Sequence, residues 1–147
     1  MAKVLLVDGD RNFRWTLKLL LLDEGHQIEE AADALEAAEL LSRRLFDVVI
    51  TENCFARGTG LDVLNALFCT PTTRCIVATA TPTQETRTAA KRLKTCRYLE
   101  KPCAVELLLC AIRAAAHEAL CQKSSTWSTV QVFAPSEPAK SVLKLAV

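Results

Sequence analysis

Five residues with chemically useful side chains stand where short apolar runs end. Asp8 and Asp10 follow KVLLV, Glu52 follows DVVIT, Thr79 closes CIVAT, and Lys101 follows RYLE. A carboxylate in such a place serves as a nucleophile, as an oxygen ligand for a hard cation, or as a fixed charge. A lysine ammonium stabilises negative oxygens, and a threonine hydroxyl donates a hydrogen bond to one. These residues act together only if the elements that carry them end side by side.

The elements predicted from hydrophobic periodicity have that property. Residues 3–7 read as a strand buried on both faces, followed by a helix from about Asn12 that places Phe13, Leu17, Leu20 and Leu21 on one face and stops at Gly25. Residues 26–31, weakened by Glu29 and Glu30, suit an edge strand. Asp33 with Glu36 forms a capping-box pattern that opens a helix through Leu45, with Leu35, Ala38 and Leu41 or Ser42 facing inward. The strand 47–51 leads through a loop containing Gly58 and Gly60 to a short helix near 61–68, ended by Pro71. A strand over 75–80 precedes Thr81-Pro82-Thr83-Gln84, which reads as an N-cap with proline at the first helical position and predicts a helix to about Lys94. The strand 97–100, Lys101-Pro102 and a last helix with Val105, Leu108, Leu109 and Ile112 on one face complete the alternation. Five strands alternating with five helices imply an α/β fold, a five-stranded parallel sheet doubly wound by right-handed crossovers. Sites in such folds lie beyond the carboxyl ends of the strands, which is where Asp8, Asp10, Glu52, Thr79 and Lys101 all fall.

The 147 residues suffice for one domain, expected over 1–120. The remainder, 121–147, is rich in Ser, Thr and Pro and reads as a C-terminal tail or linker, with Trp127, Val130, Val132 and Phe133 able to dock as a β-like arm. Apolar runs such as residues 19–22 are too short to cross a bilayer, and MAKVLL lacks a signal-peptide pattern, so the expected location is cytoplasmic. Seven cysteines without a CxxC pair are expected as reduced thiols rather than disulfides or structural zinc. The net charge of +1 hides an asymmetry: residues 1–62 carry 7 basic and 12 acidic side chains, and the rest carry 11 and 5.

The stretches DVVITENCFARGTGLDVL and TATPTQETRTAAKRLKTCRYLEKP, in this order and at this distance behind DGD, resemble the receiver domain of two-component response regulators. The resemblance spans residues 3 to about 119 and implies the flavodoxin-like (βα)5 receiver fold of chemotaxis-type receivers. It also implies a strand-end carboxylate that accepts a phosphoryl group at position 52, Mg²⁺ held by that carboxylate and an acid of the first-strand pair, which leaves Asp8 and Glu52 with Asp10 as a substitute from the next residue, and phosphoryl contacts from Thr79 and Lys101. Tyr98 matches the aromatic residue that moves with Thr79. Two positions depart from the family: the acceptor is Glu52 rather than Asp, and Gly9 replaces the second acid of the first-strand pair. The extra methylene carries the carboxylate roughly 1.3–1.5 Å outward, and misplacement of about 1 Å costs on the order of a hundredfold in phosphoryl transfer. The resemblance therefore implies a pseudo-receiver: a signalling module of a phosphorelay that works by protein–protein interaction, is not an enzyme, and needs no cofactor, with Mg²⁺ entering only if the degenerate acidic site still binds it.

The expected partner is a signalling protein or histidine-kinase pathway component, or a second copy through the face of the fourth and fifth helices. Arg87, Lys91, Lys94 and Arg97 make that face basic; without aromatic interleaving, direct nucleic-acid binding is not expected. Two rival readings compete: a working receiver that binds Mg²⁺ and is phosphorylated, and a thiol sensor built on Cys54 or Cys103.

Overall fold

The computed structural model describes residues 1–133 in backbone and 1–125 in side chain. Its element order is β1 (Lys3–Val7), α1 (Arg11–Asp23), β2 (Gln27–Ala31), α2 (Ala34–Arg43), β3 (Val48–Thr51), α3 (Gly60–Leu67), β4 (Arg74–Thr79), α4 (Gln84–Arg92), β5 (Cys96–Glu100) and α5 (Val105–Phe133). The strands form one parallel sheet in the order β2-β1-β3-β4-β5, as the alternation predicts. Each crossover is long enough to hold a helix, and the sheet is covered on both faces. Leu5, Val7, Val49, Cys75 and Val77 pack against α2, α3 and α4; Val4, Leu6, Val48, Ile50 and Ile76 pack against α1 and α5. The chain order reverses direction between β1 and β3, so the crevice of the fold opens at their carboxyl ends.

Local chemistry explains most of the boundaries. Asp10 starts α1 by accepting from Asn12 N and Phe13 N, and Gly25, at φ 81°, ends it. Asp33 caps α2 by accepting from Glu36 N at 3.0 Å, while Glu36 reaches back to Ala32 N at 2.8 Å. The Asp33 carboxyl is held below the usual carboxylate range by that backbone bond and then by Arg57.

Three expectations need correction. On α2 the inward residues are Ala34 and Ala37 with Leu40 and Leu41 partly buried, whereas Leu35 is 49% exposed and Ala38 is exposed. A Cβ on Gly58 would come within 2.7 Å of Ala34 Cβ, so only small side chains fit where the loop crosses this helix. On α4 the cap is Thr83 rather than Thr81. Thr81 N is already bonded to Thr79 Oγ1, and its carbonyl accepts from Asn53 Nδ2, which holds that residue in the loop. Finally, α5 passes through position 120 without a break and continues to Phe133, so Trp127, Val130, Val132 and Phe133 belong to a helix and not to a β-like arm. Ser124 and Ser125 fit within it because their hydroxyls bond the carbonyls of Leu120 and Cys121, one turn back. The rest of the expected tail, 134–147, lies outside the described residues.

Candidate functional site

Backbone hydrogen bonds continue one residue beyond the strands and set the positions of the functional side chains. Asp8 N donates to Ala31 O, Glu52 N to Val7 O, and Lys101 N to Thr79 O at 2.7 Å. Asp8, Glu52 and Lys101 thus emerge from three strand ends at one level of the sheet. The Lys101 ammonium stands between the two carboxylates, 2.8 Å from Asp8 Oδ2 and 3.4 Å from Glu52 Oε2. It also lies 3.7 Å above the centre of the Phe13 ring, which shields it on another side. All three side chains are largely withdrawn from water, at 8% exposure for Asp8, 11% for Glu52 and 19% for Lys101.

The remaining carboxylate oxygens are also engaged. Glu52 Oε1 accepts from Asn53 N at 2.6 Å, and Oε2 accepts from Ala80 N at 3.2 Å in addition to Lys101. Asp8 Oδ1 accepts from Asp10 N at 2.8 Å. The carboxylate of Asp10 is turned to the start of α1, where it serves as the cap, so it stands apart from the cluster that Asp8, Glu52 and Lys101 make. Mg²⁺ requires several oxygen ligands in near-octahedral array. Gly9 supplies no side-chain oxygen, Asp10 is committed to the helix, and among the described residues no group of three or more His, Cys, Asp or Glu is arranged to hold a metal. The carboxylates left for such an ion are Asp8 and Glu52, both already held by Lys101.

Thr79 is fully buried, and its hydroxyl accepts from Thr81 N at 2.9 Å; it points along its own loop rather than at Glu52. The next amide, Ala80 N, is the group that reaches Glu52. Tyr98 is half-buried, with its hydroxyl 3.2 Å from Thr86 Oγ1 on α4 and the Arg87 guanidinium 5.0 Å from its ring centre. Of the basic face, Arg87 is paired with Glu100, and Arg97 with Glu118 at 2.5 Å, while Lys91 and Lys94 are exposed.

Sequence reasoning passed over Asn53, which is buried and whose Nδ2 ties the β3 loop to Thr81 O at 2.7 Å. It also passed over Phe13 as the floor beneath Lys101. An amide directly after Glu52 was the available signal for the first; nothing local marked the second. Of the two cysteines weighed as sensors, Cys54 is exposed in the loop after β3, and Cys103 is half-buried against the α1 and α5 core. The interacting thiols are Cys75 and Cys96, which face each other across β4 and β5; hydrogen bonding to Cys96, then burial, pushes the Cys75 thiol well above its ordinary value.

Comparison with known proteins places this architecture. Residues 4–113 match the response regulator receiver domain family. The alginate biosynthesis transcriptional regulatory protein AlgB of Pseudomonas aeruginosa is 32% identical over 108 residues, covering 73% of this chain and 24% of AlgB. The response regulator MprA of Mycobacterium leprae is 34% identical over 113 residues, 76% of this chain and 50% of MprA. The chain thus spans between a quarter and a half of the length of these relatives. A CheY-like receiver domain protein from Methanospirillum hungatei superposes with a TM-score of 0.76, covering 83% of this chain and 98% of that one at 22% identity, a likeness of fold. This chain belongs to the response regulator receiver domain family.

Proposed function

We propose that this receiver domain signals without being phosphorylated, because Glu52 supplies a permanent negative charge at the acceptor position. The observation that carries the reading is the set of donors already on that carboxylate: Asn53 N, Ala80 N and Lys101 Nζ. A nucleophilic carboxylate needs a free oxygen aimed at an incoming phosphorus atom, with a metal to offset phosphoryl charge. Here the ammonium already offsets one of the two negative charges that Glu52 and Asp8 bring together, and the Ala80 amide joins the loop after β4 to the end of β3. Such an arrangement holds one conformation of the β4–α4 loop by means of a fixed charge. Output then depends on the surface of α4 and the turn that leads to β5, where Lys91 and Lys94 present positive charge to an acidic signalling partner. On this reading the chain is a cytoplasmic, non-enzymatic interaction module of a bacterial two-component pathway.

The test is incubation with acetyl phosphate and Mg²⁺ followed by intact-mass measurement. The expected spectrum shows the unmodified chain; a phosphoryl adduct overturns the proposal in favour of a working receiver. The variant carrying Gly9→Asp and Glu52→Asp restores both missing features, and it is expected to gain Mg²⁺ binding by titration calorimetry. If the double variant binds Mg²⁺ no better than the parent, the two departures are not what separates this site from a metal site.

A further inference from the structure

Strands β4 and β5 each bring one cysteine to the same place in the ladder: Cys75 stands in register with Cys96. Both side chains lie on the face of the sheet that α4 covers, Cys75 inside that core and Cys96 packed against it. Neighbouring strands run about 4.7–4.9 Å apart, within the Cα separation of about 4.4–6.8 Å that a disulfide bridges. The Cys96 thiol donates to Arg97 O at 3.5 Å, and its sulfur accepts from the Cys75 thiol. Cys75 is 1% exposed, whereas half-buried Cys96 lines a cavity of about 160 Å³ between α4 and β5, together with Gln84, Arg87, Ala90, Lys91 and Tyr98. One thiol is thus open to a small molecule, and the other is sealed behind it. We infer that Cys96 and Cys75 are a peroxide-responsive redox pair, in which Cys96 meets the oxidant and Cys75 closes a disulfide that ties β5 to β4 beneath α4.

The oxidant is hydrogen peroxide. The Cys96 sulfur attacks one peroxide oxygen, the O–O bond breaks, and the thiol proton leaves with the other oxygen as water, giving Cys96 sulfenic acid. The Cys75 sulfur then attacks the Cys96 sulfur; the S–S bond forms, the S–O bond breaks, and the hydroxyl departs with the Cys75 proton as a second water. The two thiols lose two electrons between them, and one peroxide becomes two waters. The bond to Cys96, then burial, keeps the Cys75 thiol protonated well above its ordinary pKa, so closure is the slower step. A dithiol reductant reopens the bridge by exchange. Tyr98 follows Cys96 by two positions and lines the same cavity, and Ala89 and Ala90 of α4 belong to the core that holds Cys75. Closing the bridge therefore reaches the surface that α4 and β5 form.

Glu52 takes no part in this chemistry, and the full chain serves for the test. Limiting hydrogen peroxide is expected to remove two hydrogen atoms from the intact mass of the monomer, and dithiothreitol to restore them. After alkylation and tryptic digestion of the oxidised chain, residues 75–87 and 95–97 are expected as one linked pair. In Cys75→Ala, Cys96 is expected to stop at the sulfenic acid and take up dimedone, while Cys96→Ala leaves Cys75 a free thiol at the same dose. Should Cys75→Ala fail to fold, the linkage map of the parent chain decides by itself. The amide resonances of Ala90 and Tyr98 are expected to shift on oxidation and to return on reduction. A parent chain in which 75–87 and 95–97 stay unlinked, whichever other thiol is oxidised, overturns the inference; so does a linked chain in which both amides stay unmoved.

Discussion

Asp8 and Glu52, both withdrawn from water, share one ammonium, and three backbone amides complete their pairing. Removing the shared cation leaves two uncompensated charges beside each other, and breaking a buried pair costs about 3–5 kcal/mol. Lys101 retains 19% exposure, so Lys101→Ala is expected to lose about 2–3 kcal/mol in urea unfolding, somewhat below that range. A loss under half a kcal/mol would mean that water already screens the cluster. A second prediction concerns Glu30, whose pKa is lowered mainly by its bond to Lys18, with Arg14 adding to the effect. A group depressed in the folded state contributes stability that is complete above its unfolded pKa and is lost as pH falls through the folded value. Stability is thus expected to decline as pH drops below about 4.5, with a shallower acid limb in Glu30→Gln; superimposable limbs would remove the role given to Lys18. The residue types of this site were legible in the sequence, because Asp8, Glu52, Thr79 and Lys101 each follow an apolar run. Which oxygen meets which donor was not: Asp10 looks like a third ligand until the α1 amides claim it, and Thr79 looks aimed at Glu52 until Thr81 N does.

The elements were legible where periodicity and caps agree, and they shifted where a tertiary contact overrode a local preference. The β1 and β3 runs stand where apolar continuity puts them, because a strand buried on both faces has no competing pattern. The start of α4 moved by two residues because Asn53 and Thr79 hold Thr81, contacts that no local window contains. The inner face of α2 turned because Gly58 comes too close to Ala34 for a larger side chain. Gly60, at the first turn of α3, makes a similar close approach on the site itself: a Cβ there would lie 2.7 Å from Glu52 O and 2.9 Å from Asn53 Cα. Both opposing atoms are backbone, so no side-chain rotation relieves the clash. Gly60→Ala is therefore expected to destabilise by about 1–3 kcal/mol, the usual cost of overpacking, and to displace the Glu52 loop, read as amide shift changes at Asn53 and Ala80. A variant of unchanged stability with unmoved amides would show that α3 can withdraw freely from the β3 loop.

At the scale of the molecule, the two ends of the sheet use charge differently. The carboxyl end concentrates Asp8, Glu52 and Lys101 around a crevice, whereas the opposite end uses ion pairs to hold α5 against the sheet. Asp47, only 4% exposed and just before β3, accepts from Lys3 N at 2.8 Å and meets Lys123 Nζ at 2.5 Å, while Glu118 joins Arg74 of β4 to Arg97 of β5. The composition beyond residue 120 suggested a tail because Ser and Thr rank low as helix formers, yet Lys123 of that segment neutralises a buried carboxylate of the body. A chain ending at residue 120 keeps the Glu118 bridges but leaves Asp47 with a single neutral donor. Leaving a charge uncompensated in the interior costs more than the worth of the pair itself. Such a truncation is therefore expected to lose about 2–4 kcal/mol in urea unfolding. Lys123→Gln in the full chain should reproduce most of that loss, since it removes the same cation and leaves the helix in place. Adding Asp47→Asn to Lys123→Gln should recover part of it, because the buried charge then disappears together with its partner. Should the truncated chain match the full one in stability, residues 121–133 would be an extension that the receiver body does not use.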